Sequence, residues 1–279
     1  MDSLKSVLVH LDASSRCGQR LSAAASLARQ HQAQVLALYA VIPPSLQYAY
    51  ANGGVSADIL ERLRPLDDER RAGARKEFDR AVAGGLGNAR WLEPSRDGVS
   101  RDFSRQALYS DFLVLGQRGP DDKGEAGVRA DFVETVLMDS GKPALVVPYI
   151  GAPADLGKVI MISWKESRET ARAITAAMPL LKKAERVHIA SWGDEQSAEH
   201  RRIDALVAHL QRHGVAPVVH HYGRESGDVG AYMLSAAADL AADLVVMGAY
   251  GHSRAREWVL GGATRTLLAS MTVPVLMSH

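Results

Sequence analysis

The sequence predicts two tandem α/β domains, each built on a doubly wound parallel sheet. Of its 279 residues, 47% are hydrophobic and 23% are charged, which is typical of a folded protein with a full core. Short apolar runs lack polar alternation, as expected for strands that are buried on both faces. Segments with Ala and Leu at helical spacing separate these runs, which favours parallel strands joined by helices.

The beginning and the end of this pattern occur twice along the chain. KSVLVHLD, which starts at Lys5, matches KVIMISWK, which starts at Lys158, at an offset of 153. DFLVLGQRG, which starts at Asp111, matches DLVVMGAYG, which starts at Asp243, at an offset of 132. An internal repeat of this kind indicates that one structural unit was duplicated.

The two copies differ in length. Pro143 matches Pro274 at an offset of 131, so the first copy carries about 22 more residues, the difference between 153 and 131. We assign the extra length to residues 43–68, where Pro and Gly clusters indicate a loop excursion with a short helix near residues 59–63.

The domain boundaries follow from the repeat. We predict a first domain over residues 1–150, a linker rich in turn-forming residues over 151–157 and a second domain over 158–279.

Apolar runs and helical spacing define the elements. The predicted strands of the first domain are residues 7–11, 34–41, 89–93, 112–115 and 144–147, with a helix over 21–30. Those of the second domain are residues 159–163, 186–191, 216–221, 244–247 and 273–277. Its predicted helices are residues 169–183, 199–212, 228–241 and 264–270.

A glycine-rich segment follows the fourth strand of the second copy, where an open parallel sheet binds its ligands. Gly248, Gly251 and Gly261 have the spacing G-x-x-G-x(9)-G. Glycines let the backbone turn tightly and approach a phosphate, and the helix that opens near Thr264 offers backbone amides to an anion. The segment therefore indicates a phosphate site.

This spacing resembles the ATP loop of the universal stress protein family. The ends of the first strands, LVHLDAS and MISWKES, and the closing strands, ALVVP and VPVLM, are also similar to that family. The resemblance covers nearly the whole chain and implies a tandem universal stress protein. Each half is then Rossmann-like, of the adenine nucleotide alpha hydrolase type, with strand order 3-2-1-4-5.

The resemblance also implies a nucleotide site. The family's acidic residue after strand one, which lies against adenosine, corresponds to Asp12 in the first copy and to Lys165 in the second. The backbone contact to adenine corresponds approximately to Val41 and Trp192. Gly262 stands where the family's loop has Ser or Thr. The implied ATP-binding residues of the second domain are Trp164, Lys165, Trp192, Gly248, Gly251, His252, Gly261, Gly262, Ala263 and Thr264.

The two copies keep different parts of this site. The first retains Gly116 and Gly119, but Arg129 replaces the third glycine, and its loop carries three carboxylates, Asp121, Asp122 and Glu125. Carboxylates repel triphosphate, so we expect no nucleotide there. The second loop carries His252, Arg254, Arg256 and Arg265. We expect the second copy to bind ATP weakly or not at all, since its glycines could instead be required for the backbone conformation.

Other motifs indicate less. Residues 251–255 resemble part of a nucleophile elbow, but Ala255 replaces its last glycine. His209 and His213 have the helical spacing of metal ligands, yet we predict a solvated helix face and no metal site. We interpret His10 and His188 as core residues. Cys17 could have a lowered pKa near a helix terminus, but a small half-buried residue is the simpler interpretation.

The function that the resemblance implies is a cytoplasmic stress-response module for binding or signalling. We find no paired general acid and base, and therefore predict no catalytic residues. One alternative is an ATP-binding switch with slow hydrolysis or autophosphorylation of Ser253 or Thr264. The other is a scaffold that recognises a protein through residues 43–68.

Further expectations concern partners. In the family, equivalent last strands pair, so the two domains would form an intramolecular pseudo-dimer, and two chains could form a homodimer. A net charge of +1 argues against nucleic acid, and no apolar run reaches the ~20 residues of a membrane helix. The first residues lack the pattern of a signal peptide, which favours the cytoplasm. One continuous sheet would contradict the duplication.

Overall fold

The computed structural model describes residues 3–54, 56–93, 99–119, 127–153, 155–193, 202–223, 227–249 and 262–279. Its strands form one ten-stranded sheet in the order β3-β2-β1-β4-β5-β10-β9-β6-β7-β8. The strands are β1 Ser6–Leu11, β2 Gln34–Tyr39, β3 Ala89–Leu92, β4 Phe112–Gly116, β5 Ala144–Val147, β6 Val159–Trp164, β7 Arg186–Trp192, β8 Pro217–Tyr222, β9 Leu244–Gly248 and β10 Val275–Ser278.

Helices cover both faces of the sheet. They are α1 Cys17–His31, α2 Pro44–Asn52, α3 Ala57–Ala83, α4 Val99–Ala107, α5 Phe132–Ser140, α6 Arg168–Leu181, α7 Ile203–Arg212, α8 Val229–Asp239 and α9 Gly262–Ser270. Buried residues of α1, α3, α6 and α7 form the core on one face, and those of α4, α5, α8 and α9 form the core on the other. Within the described residues, no helix is both long and apolar enough to span a membrane.

Each half of the sheet has the predicted strand order 3-2-1-4-5 with parallel neighbours. The last strands of the two halves, β5 and β10, pair antiparallel, with Val146 opposite Val275. The pairing of these two strands is therefore confirmed. It also makes the sheet continuous, so our criterion that a continuous sheet contradicts duplication was wrong. The predicted edge pairing itself joins two equivalent sheets.

One buttress at the start of the first strand is repeated in both halves. Asp111 accepts hydrogen bonds from the backbone N–H groups of Lys5 and Ser6, at 2.8 and 3.0 Å. Asp243 accepts them from Lys158 and Val159, at 2.9 and 3.1 Å. The carboxylate thus fixes the start of β1 to β4, and of β6 to β9, at positions that the sequence offsets make equivalent.

The predicted strands agree with the observed strands to within two residues at each end. The first helix was predicted too short, because α1 starts at Cys17. The helix predicted over 199–212 is observed from Ile203, and residues 199–201 lie outside the described part of the chain.

The excursion over residues 43–68 is not a loop with one short helix. It forms α2 and the first half of α3. The whole of α3 is 27 residues long and includes Pro65 in its interior. The residues that suggested a loop set helix boundaries instead. Pro44 begins α2, and Gly53 ends it in the left-handed conformation, with φ 70°.

Candidate functional site

The candidate site of each half lies where the strand order reverses. In the second half this is the carboxyl end of β6, which has β7 on one side and β9 on the other. The cleft there has a volume of about 550 Å³ and is lined by the ends of these three strands and the starts of α8 and α9. A drug-sized ligand occupies pockets of this class.

Most of the predicted site residues lie around this cleft. The lining includes Trp164, Lys165, Trp192, Gly248, Gly262, Ala263 and Thr264. The other three predicted residues, Gly251, His252 and Gly261, lie outside the described residues, together with the arginines at 254 and 256.

Hydrogen bonds fix the polar groups at the rim of the cleft. Asp228 caps α8 by accepting from the N–H of Gly230 at 2.9 Å, and it also accepts from the Thr266 hydroxyl on α9. Ser167 caps α6 by accepting from the N–H of Thr170 at 3.2 Å. The Asp228–Thr266 contact joins α8 to α9, and the Ser167 cap orders the start of α6 at the same opening.

An aromatic pair lies across the ends of β7 and β8. The rings of Trp192 and Tyr222 stack with centroids 5.3 Å apart and an interplanar angle of 14°. Trp192 also lines the cleft. The family resemblance implied Trp192 approximately, at the end of strand two, whereas its stacking partner Tyr222 was not predicted.

Gly248 is required by packing. A Cβ at this position would lie 2.5 Å from the backbone nitrogen of Thr170. The glycine therefore lets the first turn of α6 approach the end of β9. This contact supports the alternative that a glycine of the motif serves backbone shape. At Gly262, in contrast, a Cβ would meet no atom of the described residues within 4 Å.

The equivalent place in the first half is filled by the side chain of Arg20. Its Nε donates to the backbone carbonyl of His10 at 2.8 Å, and its terminal nitrogen donates to the carboxylate of Asp12 at 2.5 Å. A Cβ at Gly116 would lie 2.7 Å from Arg20. The remaining cavity has a volume of about 40 Å³.

Burial makes this ion pair strongly coupled. The side chains of Arg20 and Asp12 are 4% and 7% exposed. Burial raises the pKa of Asp12, but Arg20, His10 and the hydrogen bonds from Ser14 outweigh it and hold that pKa below its usual value. Burial lowers the pKa of the neighbouring His10 to about 4, so its ring is neutral at pH 7.

The resemblance implied that Asp12 faces an adenosine pocket. In the structure the carboxylate of Asp12 instead forms an ion pair with Arg20, whose side chain fills that place. Val41 is buried at the end of the strand but does not line the remaining cavity. Arg20 was missed by the sequence argument. The repeat carried the signal, since at an offset of 153 the second half has Ala173 in its place. The carboxylates at 121, 122 and 125 lie outside the described residues.

The cysteine and the histidines that the sequence singled out lie away from the second cleft. Burial raises the pKa of Cys17 to about 11, so the idea of a lowered pKa was wrong, and the residue is fully buried. His10 is a buried core residue, and its Nε2–H donates to the Ala40 carbonyl oxygen at 2.8 Å. The ring centroids of His209 and His213 are 4.9 Å apart. The described residues contain no group of three or more side chains that could bind a metal ion.

Comparisons with known proteins agree with this architecture. Residues 163–279 match the model of the Universal stress protein family. No curated protein sequence matches the chain. A crystal structure of a universal stress protein from Archaeoglobus fulgidus is similar with a TM-score of 0.74 and 18% identity, and the match covers 97% of each chain.

A Pseudomonas aeruginosa protein assigned to the same family is similar with a TM-score of 0.64 and 16% identity. That match covers 99% of this chain and 93% of the other. At these identities the two structures establish the fold of both halves.

Proposed function

We propose that this tandem member of the universal stress protein family is a stress-response binding module with one nucleotide cleft, in its second half. The observation that carries the proposal is the difference between the equivalent places in the two halves. The second half has a cleft of about 550 Å³, whereas Arg20 reduces the first to about 40 Å³. A nucleotide does not fit into the smaller volume.

The chemistry of the side chains and backbone groups around the second cleft suits an adenine nucleotide. Trp164 and Trp192 offer apolar and aromatic surface to a base. The first turn of α9, from Gly262 to Thr264, places a helix N-terminus at the cleft, where anionic phosphate is favoured. Lys165 adds a positive charge to the lining.

One feature of the cleft weakens ATP binding, and another disfavours autophosphorylation. The carboxylates of Asp228 and Glu166 also line it, although Glu166 pairs with Arg202 at 2.9 Å. Thr264, the proposed acceptor of a phosphoryl group, is only 3% exposed. We therefore propose a weak ATP site that works by binding, in preference to a switch that phosphorylates itself.

Calorimetric titration of ATP into the full chain tests the proposal. We expect saturable binding with one site. Lys165→Glu should weaken it by about tenfold, which corresponds to about 1.4 kcal/mol, because an attractive charge becomes repulsive. Lys76→Glu, at an exposed position of α3, is the matched control and should bind like the wild type. Equal binding by the wild type and Lys165→Glu would contradict the assigned cleft.

A second candidate function is a scaffold that associates with a second copy of this chain through α2 and α3. Both helices expose apolar side chains, with Tyr50 77% and Leu60 40% exposed. Residues 57–69 contain five acidic and two basic residues, whereas residues 70–83 contain two acidic and five basic residues. Two α3 helices packed antiparallel would place opposite charges together.

Sedimentation at low and high salt tests this alternative. A dimer should form at low salt and dissociate as salt screens the charges. Tyr50→Ser should weaken the dimer, whereas Tyr109→Ser should not, although Tyr109 is 78% exposed elsewhere on the first half. A monomer at all concentrations would contradict self-association.

A further inference from the structure

The rings of Trp192 and Tyr222 are stacked across the sheet. Trp192 of β7 is directly opposite Tyr222 of β8 in the parallel register. The ring centroids are 5.3 Å apart, which is close to the spacing of neighbouring strands, and the ring planes are 14° from parallel. Tyr222 therefore covers the face of the Trp192 ring that is turned toward β8.

The opposite face of the Trp192 ring bounds the second cleft. The order β9-β6-β7-β8 places β8 outside the cleft, whose floor is formed by the ends of β6, β7 and β9. Trp192 lines the cleft, whereas Tyr222 does not. Since Tyr222 lies on the β8 side, the free face of the indole is turned toward β6 and the cleft.

Side chains on the same side of the sheet suit a flat ligand beside this ring. Along β6, Met161 belongs to the core beneath α8 and α9, so Ser163, two residues later, points to the same side and lines the cleft. Met233 of α8 and Met247 of β9 also line the cleft. Methionine side chains are adaptable and make favourable contacts with aromatic rings. These surroundings favour a planar base.

The first half has no such ring at the equivalent place. When β2 and β7 are aligned by their pairing with β1 and β6, Trp192 corresponds to Ala40. The stacked rings of the first half, Tyr39 and Trp91, belong to the core on the other face of the sheet. The stacked pair that borders a ligand space thus occurs in the half with the open cleft.

We propose that the base of the nucleotide stacks on the free face of Trp192, and that Tyr222 is a positioning residue that holds this ring in place. The inference rests on the proposed nucleotide cleft and names the group that recognises the base. The resemblance implied a backbone contact to adenine at Trp192, whereas here the side chain provides the surface. Adenosine, which keeps the base and lacks phosphate, should bind to the same face.

Calorimetric titration of adenosine and of ATP into the full chain tests the assignment. Trp192→Leu should weaken the binding of both ligands by about tenfold, because both stack their base on this ring. Tyr222→Leu should weaken both by about fivefold, since the indole without its neighbour is free to turn away from the cleft. Tyr222→Phe keeps the supporting ring and should bind like the wild type. Tyr109→Leu, at an exposed position of the first half, is the matched control.

Two further readouts separate stacking from a structural role. Saturating adenosine should quench the tryptophan fluorescence of the wild type and leave that of Trp192→Leu unchanged. Lys165→Glu should weaken ATP binding and leave adenosine binding unchanged, because adenosine carries no phosphate. ATP binding that is unaffected by Trp192→Leu and Tyr222→Leu would overturn the stacking assignment while leaving the cleft assigned. Absence of ATP binding by the wild type would refute the proposed function itself, and the stacking assignment with it.

Discussion

Arg20 and Asp12 form a buried ion pair, with 2.5 Å between the guanidinium nitrogen and the carboxylate oxygen, at the place where the second half has a cleft. The pair joins the first turn of α1 to the end of β1. It places a positive charge of the chain itself where a ligand would otherwise bind. The halves of this duplicated chain therefore share a fold and differ in what fills the end of the first strand.

Removing one member of the pair should destabilise the protein. Arg20→Ala leaves the carboxylate of Asp12 buried without its partner, which costs about 3–5 kcal/mol of unfolding free energy. Arg29→Ala, at an exposed position of the same helix, should cost little. Urea unfolding measures both. The double variant Arg20→Ala with Asp12→Ala should lose less than the single one, and a larger loss would contradict the coupling.

Gly248 should be intolerant of a methyl group, although it belongs to the glycine motif. Gly248→Ala brings Cβ to 2.5 Å from the backbone nitrogen of Thr170, and overpacking of this kind costs about 1–3 kcal/mol. Gly262→Ala adds a Cβ that meets none of the described residues within 4 Å, and it is the matched control. Denaturant unfolding distinguishes them, and equal stability of the two variants would disprove the packing role.

The two aspartate buttresses should make similar contributions. Asp111→Ala removes the acceptor of two backbone N–H groups. Asp243→Ala removes the acceptor of three, because Asp243 also accepts from the N–H of Gly157 at 2.8 Å. Each change costs about 1–3 kcal/mol. Asp139→Ala, at an exposed position, serves as the control. Unfolding measurements that found one buttress indispensable and the other neutral would be inconsistent with structural equivalence.

Stability should decrease as pH falls from about 6.5 to about 4. In the native state burial lowers the pKa of His10 to about 4, whereas the unfolded chain binds this proton near pH 6.5. The unfolded state therefore takes up the proton first as the pH falls. The free energy of unfolding decreases by about 3 kcal/mol over this range.

His10→Gln should make this pH dependence shallower by about one proton, because an amide can still donate to the Ala40 carbonyl but does not titrate. His213→Gln, at an exposed position, is the control. The measurement is the unfolding free energy at several pH values. An unchanged slope in His10→Gln would show that His10 is not the group responsible.

The sequence predicted the fold well because parallel strands leave a direct signature. Strands such as Phe112–Gly116 are buried on both faces and read as apolar runs, and the offsets of the repeat locate equivalent strands. Pro44 and Gly53 misled the prediction because the same residues occur in loops and at helix ends. Only the packing of α2 on α3 distinguishes the two cases.

The candidate site was predicted less completely. The family resemblance implied Lys165 and Trp192, and both line the cleft because they lie at or beside strand ends, which the apolar runs locate. The closure by Arg20 depends on a long side chain that reaches eight residues back in the chain to Asp12, and no local periodicity encodes such a contact. Comparing Arg20 with Ala173 across the repeat would have indicated a difference, although not where the guanidinium lies.

The number of nucleotides bound per chain tests the central claim most directly. Native mass spectrometry of the full chain in excess ATP should show one bound nucleotide, because the Arg20–Asp12 pair closes the first half while the second stays open. Two bound nucleotides would contradict the closure of the first half, and none at saturating ATP would contradict the site in the second.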